Sequence, residues 1–163
     1  ALVKQHQGSF RTDRYAAVAE IRIKGKTLIC IQPGTYMNLS GKAVKYWLDK
    51  EQIPINQLLV VVDELALPLS RIRLRPGGSH AGHNGLRHIE EVLQTSAYPR
   101  LRFGVGNGFP KGAQVDFVLG RWTAEEAPLV EKKIAVCTDA ITEFVLAGIE
   151  RAMNHYNKME IAL

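Results

Sequence analysis

The stretch Leu58-Leu59-Val60-Val61-Val62-Asp63-Glu64 decides the fold class, because five apolar residues in a row lead directly into two carboxylates. A short, continuous apolar run is typical of a strand that is buried on both faces of a sheet. In open α/β sheets, ligand-binding side chains gather at the carboxyl ends of the strands. We therefore predict a buried strand here, with Asp63 at the edge of a site. A turn or capping role for Asp63 is the plainer alternative.

The segments on either side of this run alternate between strand and helix patterns. Apolar and charged residues alternate from Ala17 to Lys24, which predicts a half-buried strand. Lys24-Gly25-Lys26 predicts a hairpin turn, and the apolar Thr27–Ile31 predicts a second strand deep in the sheet. Leu101–Val105 predicts a further strand. Spacing and capping signals predict four helices. The first begins after Asn38 or Ser40 as N-cap, the second is Asn84–Leu93, and the last is Ile149–Lys158. The third begins at the Thr123/Glu126 capping box and is predicted to bury Val130, Ile134, Cys137, Ile141, Phe144 and Val145.

Together these elements predict an α/β fold. The chain of 163 residues is long enough for one core, and no repeat or linker divides it. We expect residues 1–163 to form a single three-layer domain, with a mixed, partly parallel sheet flanked by helices.

Composition limits the class of partner. The net charge of +5 favours an anionic partner, although charge alone does not identify it. The longest apolar runs are too short to cross a bilayer, so no membrane partner is expected. Cys30 and Cys137 each lie in an apolar run, which is typical of buried thiols in a reducing compartment. We expect a cytoplasmic monomer.

The loop Gly77–Gly85 contains four glycines among nine residues, which lets the backbone approach a ligand closely. His83 and Asn84 stand where this loop becomes a helix, and a helix N-terminus favours negative charge. A plain flexible loop is the alternative. His80 and His83 lack the further ligands of a zinc site, so no metal is predicted. Gly104–Gly108 does not match the dinucleotide-binding G-x-G-x-x-G pattern, and there is no phosphate-binding G-x-x-x-x-G-K-[ST] run.

A second polar cluster, Thr35–Gly41, lies between a predicted strand and a predicted helix. The amide of Asn38 could be a helix cap, or it could donate and accept hydrogen bonds at the mouth of a site. Ser40, Asp63 and His83 follow the Ser–Asp–His chain order of α/β-hydrolases, yet Ser40 lacks the G-x-S-x-G elbow that exposes a nucleophile. A serine-type hydrolase is therefore a weaker hypothesis.

Arg71, Arg73 and Arg75 alternate with apolar residues. In an extended strand they would lie on one face at intervals of about 6–7 Å, close to the spacing of nucleic-acid phosphates. The solvated face of an edge strand is an equally simple interpretation. Arg100 and Arg102 could extend a basic patch.

The chain resembles the bacterial-type peptidyl-tRNA hydrolase family from about Phe10 to about Lys158. The motifs that carry the resemblance occur in family order: Thr35-Tyr36-Met37-Asn38-Leu39-Ser40-Gly41, Asp63-Glu64-Leu65-Ala66-Leu67-Pro68, Gly82-His83-Asn84-Gly85-Leu86, Arg100-Leu101-Arg102-Phe103-Gly104-Val105-Gly106 and Phe117-Val118-Leu119-Gly120. The resemblance implies an enzyme that cleaves the ester between a peptide and the 3′ end of tRNA, so that the tRNA is recycled, with no metal or cofactor.

The resemblance also implies roles for individual residues. Tyr36 and Asn38 would line the substrate site, and Asn84 would contact the tRNA end or the peptide backbone. Asp63 would orient and stabilise a catalytic His, with His83 as a supporting residue. Three arginines would contact phosphates: Arg73, Arg75 and Arg102.

One part of the family pattern is not found. Family members begin with a strand, a Gly-Leu-Gly-Asn-Pro-Gly-like loop and a Thr-Arg-His-Asn-like run that carries the general base, and residues 1–34 match none of these. We expect roughly thirty residues, about one strand–helix unit, to be absent before Ala1. The chain as given would then hydrolyse little or nothing. A non-catalytic RNA-binding or tRNA-binding module on the same fold is the alternative function.

Overall fold

The computed structural model of the chain describes residues 1–106 and 122–162. They form two compact units: Ala1–Val60 with Arg75–Arg100, and Val61–Leu74 with the described part of Leu101–Leu163. The strands in these ranges are β1 (Arg11–Asp13), β2 (Ala16–Ile23), β3 (Lys26–Pro33), β4 (Val60–Glu64), β5 (Ile72–Arg75) and β6 (Arg100–Gly104). The helices are α1 (Leu2–Gln5), α2 (Ser40–Glu51), α3 (Asn84–Leu93), α4 (Ala127–Ala147) and α5 (Ile149–Tyr156), with 3-10 turns at Met37–Leu39 and Ile55–Gln57. The predicted α/β class is confirmed, whereas the single domain stays a prediction.

A hairpin of β2 and β3 forms most of the first sheet. Its turn residues Lys24 and Gly25 have φ of 47° and 84°, which matches the right-handed twist of the paired strands. Ile21 and Ile23 are buried on β2, and Arg22 between them is exposed. The predicted turn and the predicted alternation are therefore both confirmed.

The centre of this sheet is β2 and not β3, since the strand order is β1-β2-β3. Leu28–Ile31 on β3 are only half-buried. The prediction that Thr27–Ile31 lies deep in a sheet is wrong. The polar Arg11–Asp13, which no periodicity marks as a strand, pairs with β2 and leaves β3 at the edge.

Helices α2 and α3 complete the first unit. The predicted apolar face of α2 is buried, as Trp47 at 3% exposure illustrates. Helix α3 has the predicted bounds, Asn84–Leu93. The predicted cap of α2 is wrong, because the helix begins at Ser40 and its N-cap, Leu39, offers no side-chain acceptor. Asn38 lies in the preceding 3-10 turn.

The second sheet has the order β4-β6-β5 and is mixed. The Val60 N–H donates to the Pro99 carbonyl and the Val105 N–H donates to the Glu64 carbonyl, so the partners advance together and β4 runs parallel to β6. The pairing of β5 with β6 is antiparallel. The Gly104 N–H donates to the Arg71 carbonyl, and the Gly78 N–H donates to the Ser96 carbonyl. The residue numbers thus rise on one side of the pairing as they fall on the other.

Strand β4 lies at one edge of the described sheet. Val61 is 52% exposed, and its neighbours Val60 and Val62 are half-buried. The prediction that Leu58–Val62 is buried on both faces is therefore wrong for the described residues. The strand also runs on through Asp63 and Glu64, so both carboxylates belong to the strand and do not follow it.

The other edge of this sheet, β5, is covered by a side chain. The amide of Asn157 accepts from the Leu74 N–H at 2.7 Å and donates to the Leu74 carbonyl at 2.9 Å. It therefore satisfies two backbone groups that an edge strand would otherwise present to another chain.

Helix α4 buries a different stripe from the predicted one. Val130, Cys137 and Phe144 are buried as predicted, but Ile134 is 39% exposed and Lys133 is fully buried. The Lys133 ammonium donates to the Gly104 carbonyl and lies 3.8 Å from the centre of the Phe103 ring. This hydrogen bond and the ring face offset part of the cost of burying the charge, so Lys133 is buried where Ile134 was predicted to be.

Two sequence motifs fall outside the described residues. These are Phe117–Gly120, which supports the family resemblance, and the end of Gly104–Gly108 from Asn107 onward.

The buried Lys133 predicts a specific pH dependence of stability. Burial lowers the pKa of Lys133 from 10.5 to about 8, and burial raises the pKa of Cys137 from 9.0 to about 11. Above pH 8 the unfolded chain holds the lysine proton more tightly than the folded chain, so stability rises with pH. Above pH 9 the unfolded thiol ionises first, which offsets the further gain from the lysine, so the rise in stability levels off. Between pH 8 and 9 the free energy of unfolding should therefore rise, by up to about 1.4 kcal/mol.

Urea denaturation of the protein and of Lys133→Met at pH 8.0, 8.5 and 9.0 measures this rise. Methionine keeps the length of the side chain and removes the titrating group, so the variant should lack the rise. Equal pH slopes for the two proteins would contradict a buried, titrating Lys133.

Candidate functional site

The polar cluster Thr35–Gly41 contains a short 3-10 turn that leads into α2. Tyr36 is 82% exposed, and Met37 and Asn38 are also exposed. The Ser40 hydroxyl donates to the Met37 carbonyl at 2.7 Å and holds the 3-10 turn against the helix. Ser40 itself is 8% exposed. A buried hydroxyl that donates to a backbone carbonyl is poorly placed for nucleophilic attack, so the geometry does not favour the serine-type hydrolase.

The glycine-rich loop satisfies part of its own backbone. The Ala81 N–H donates to the Ser79 hydroxyl and the Gly82 N–H donates to Nδ1 of His80, both at 3.0 Å. Gly82 has a φ of 80°, which glycine adopts without strain. Nε2 of His80 lies 3.8 Å from a Glu90 carboxylate oxygen. These contacts give the loop a defined conformation, against the alternative of a plain flexible loop.

His83 is the N-cap of α3. Its Nδ1 accepts from the Gly85 N–H at 3.1 Å and from the Leu86 N–H at 3.3 Å. A neutral imidazole has one donor and one acceptor, so the proton of this ring lies on Nε2. Asn84 follows as the first helical residue, and it is exposed. The pair thus combines a helix N-terminus with an exposed amide.

The two polar clusters lie against each other. A Cβ atom on Gly85 would come within 2.8 Å of the Met37 sulfur, so the 3-10 turn packs directly on the first turn of α3. The N-termini of α2 and α3 adjoin here, and each carries a partial positive charge. The arrangement brings together Tyr36, Asn38, His83 and Asn84 in one unit.

The other predicted site residues lie on the second sheet. Asp63 is half-buried on β4 in the second unit, with Arg73 exposed on β5. Arg75 is exposed at the end of β5 and belongs to the first unit. Arg102 donates to a Glu64 carboxylate oxygen at 2.5 Å, and their side chains are 12% and 16% exposed. The guanidinium of Arg102 is therefore engaged within the fold.

Arg71 and Arg100 do not lie where the predicted basic face would place them. Arg71 precedes β5, and its guanidinium is within 3.4 Å of the Asn157 carbonyl. Arg100 is fully buried, with one nitrogen 2.6 Å from the Ser96 carbonyl and its guanidinium 4.1 Å from the centre of the Tyr98 ring. The suggestion that Arg100 extends an exposed patch is wrong, since a planar cation stacked on a ring is stable when buried.

Residues 1–106 and 122–162 hold no group of three or more His, Cys, Asp or Glu side chains that could bind a metal ion. Among the same residues, no helix has the length and apolarity needed to cross a membrane.

The comparisons with known proteins agree with the site motifs. The family model described as peptidyl-tRNA hydrolase matches residues 1–162. The chain belongs to the peptidyl-tRNA hydrolase family. The peptidyl-tRNA hydrolase of Phocaeicola vulgatus is 52% identical over 158 residues, covering 97% of this chain and 84% of that protein. The one from Parabacteroides distasonis is 51% identical over 156 residues, covering 96% and 83%.

A solved structure gives the same result for the fold. The crystal structure of peptidyl-tRNA hydrolase from Acinetobacter baumannii matches with a TM-score of 0.90 and 30% identity, covering 99% of this chain and 83% of that one. The predicted family and the predicted type of enzyme are confirmed. The roles of the individual site residues stay predictions.

Two contacts of this site were not predicted from the sequence: the packing of Met37 on Gly85, and a hydrogen bond from the Gly41 N–H to His88. Small residues near helix N-termini hint at close packing. The position of His88, one turn into an amphipathic helix, does not indicate from the sequence that the ring accepts a hydrogen bond from another helix.

The capping geometry predicts different effects of two substitutions at His83. Asparagine places an acceptor oxygen where Nδ1 lies and is a preferred N-cap, so His83→Asn should unfold at nearly the temperature of the unmodified protein. His83→Ala removes the acceptor and should cost about 1 kcal/mol of stability. Thermal melts followed by circular dichroism measure both. If the two variants were equally destabilised, the capping role of the ring would be refuted.

Proposed function

We propose that this protein hydrolyses the ester bond between the peptide and the tRNA of peptidyl-tRNA and so recycles the tRNA. The observation that carries the proposal is the packing of the Met37–Leu39 turn on the start of α3, which brings the amides of Asn38 and Asn84 to two adjoining helix N-termini. Membership of the peptidyl-tRNA hydrolase family supports the same reaction.

Neutral amides suit a substrate whose peptide varies in sequence. Asn38 and Asn84 can each donate to a backbone carbonyl and accept from a backbone N–H, which every peptide offers. The adjoining helix ends add donors and positive potential, which would stabilise the oxyanion as water adds to the ester carbonyl. In this proposal Tyr36 lines the site with its exposed ring.

Ester hydrolysis requires a base for the attacking water. Water adds to the carbonyl carbon, the carbon–oxygen bond to the ribose breaks, and the proton taken from water is returned to the departing ribose hydroxyl. By family resemblance, Asp63 would orient the histidine that carries this proton and stabilise its charged form. His83 would support the reaction by donating from Nε2, since its Nδ1 is already used as a helix cap.

The RNA part of the substrate needs cations. Arg73 and Arg75 are exposed and alternate with buried residues along β5, so both guanidiniums can meet successive phosphates. Arg102 would contribute after exchange of its Glu64 partner for a phosphate. We further propose that the protein acts as a monomer in the cytoplasm, where its substrate is formed.

The low activity expected of residues 1–163 stays a prediction, because they contain no match to the family motif that carries the general base. The exposed Arg73 and Arg75 favour tRNA binding even without turnover. A tRNA-binding module without catalysis is thus the second candidate.

Replacing Asp63 by Asn tests the catalytic proposal. The substitution keeps the size of the side chain and removes the charge that would stabilise a charged histidine. Any turnover that the unmodified chain retains, measured as release of an N-acetylated amino acid from its tRNA, should fall by about 10²- to 10⁴-fold.

Asp139→Asn is the matched control, because it removes the same charge from an exposed position on α4 and should leave turnover unchanged. Equal turnover by Asp63→Asn would reject the proposed role of Asp63. If the unmodified chain shows no turnover but binds tRNA, the binding module is favoured.

The salt dependence of tRNA binding tests the arginines. The double variant Arg73→Gln/Arg75→Gln should reduce the slope of log K against log salt by about 0.7–0.9 for each lost phosphate contact. The control variant Arg22→Gln/Lys24→Gln removes the same net charge at the β2–β3 turn and should leave the slope nearly unchanged. Titration of labelled tRNA between 50 and 300 mM salt gives both slopes. A slope that falls equally in both variants would indicate only a non-specific effect of net charge.

A further inference from the structure

Helix α2 is capped by a residue of another helix. Its own N-cap, Leu39, provides no side-chain acceptor, so the N–H groups of its first turn need another partner. The Gly41 N–H donates to Nδ1 of His88 at 2.8 Å, across 47 residues of chain. Because Nδ1 accepts, the neutral ring of His88 carries its proton on Nε2.

The backbones approach closely at this hydrogen bond. A Cβ atom on Gly41 would lie 2.7 Å from the His88 carbonyl oxygen, 2.8 Å from its Nδ1 and 2.8 Å from a methyl group of Val92. Any larger residue at position 41 would force α2 away from α3. The close approach of the two helices at this point therefore depends on glycine at position 41.

This separation sets the geometry of the proposed substrate site. Asn38 lies three residues before Gly41, in a 3-10 turn that runs directly into α2. Asn84 lies four residues before His88 on α3, which is one helical turn. A change in the distance between Gly41 and His88 would therefore also change the distance between the side-chain amides of Asn38 and Asn84.

We propose that His88 is a positioning residue of the hydrolase site: its Nδ1 holds the N-terminus of α2 and so sets the spacing of Asn38 and Asn84 for the aminoacylated 3′ end of tRNA. This inference rests on the proposed function. His88 is not a catalytic residue in this proposal, because it acts through Gly41 and not on the substrate.

Two substitutions of similar size separate positioning from packing. Asparagine offers an acceptor oxygen near the place of Nδ1, whereas leucine has the same branched shape without an acceptor. His88→Asn should keep the hydrogen bond to Gly41 and His88→Leu should lose it. Ile89→Val is the control for stability, since it removes one buried methyl group from α3 and leaves that bond intact.

The probe is a 3′-(N-acetylaminoacyl)amino-3′-deoxyadenosine, in which an amide replaces the cleavable ester, so that binding is measured without turnover. Titrations at 10 °C, where circular dichroism verifies that every variant is folded, give the dissociation constants. His88→Leu should bind about 10- to 100-fold more weakly than the unmodified protein, because small displacements of binding groups have effects of this size. His88→Asn and Ile89→Val should bind within about twofold of the unmodified protein.

Amide hydrogen exchange of Gly41 provides a readout that is independent of the substrate. Its N–H should be protected in the unmodified protein and in His88→Asn, and should exchange faster in His88→Leu. Equal binding by His88→Leu and the unmodified protein, or no rescue by asparagine, would overturn the positioning role alone. Absence of probe binding by the unmodified protein would overturn the proposed function, and this inference with it.

Discussion

The first unit depends on the close contact between the N-terminal turns of α2 and α3. Glycine at positions 41 and 85 leaves room for His88 and Met37, where a Cβ atom would lie below 3 Å from a neighbour. Because interiors are close-packed, a larger residue at either position would displace its neighbours. Asn38 and Asn84 lie in the turns beside this contact, and their side chains are exposed. A rigid glycine contact beneath a polar surface is a suitable base for a binding site.

In the second unit, polar side chains complete the sheet. Asn157 pairs with both backbone groups of Leu74, Arg102 pairs with Glu64, and Lys133 donates to the Gly104 carbonyl. Buried polar groups are costly unless they are hydrogen-bonded, and each of these side chains contributes such a partner. They add less stability than apolar packing would, yet they tie particular strands to particular partners. This unit therefore combines an ordinary apolar core with a few specific polar contacts.

The predicted site residues fall into two chemical classes. The described residues of the first unit offer neutral donors and acceptors, which are Asn38, Asn84 and His83, with the positive ends of two helices. Residues of the second sheet offer charge, through Asp63 and the exposed arginines of β5. Membership of the peptidyl-tRNA hydrolase family is consistent with this division.

The sequence by itself determined the elements whose signals are local: the β2–β3 turn at Lys24-Gly25, the bounds of α3, the capping bonds between Thr123 and Glu126, and the family motifs. These depend on residues within a few positions of one another. Only the tertiary structure decided that β3 and β4 lie at the edges of the sheets formed by the described residues, that Lys133 is buried instead of Ile134, and that His88 caps α2. The pairing of β4 with β6, the burial of Lys133 and the capping by His88 each depend on a partner tens of residues away in the chain. Periodicity shows which face of an element is apolar, but the burial of that face and the partner of a polar group depend on what packs against it.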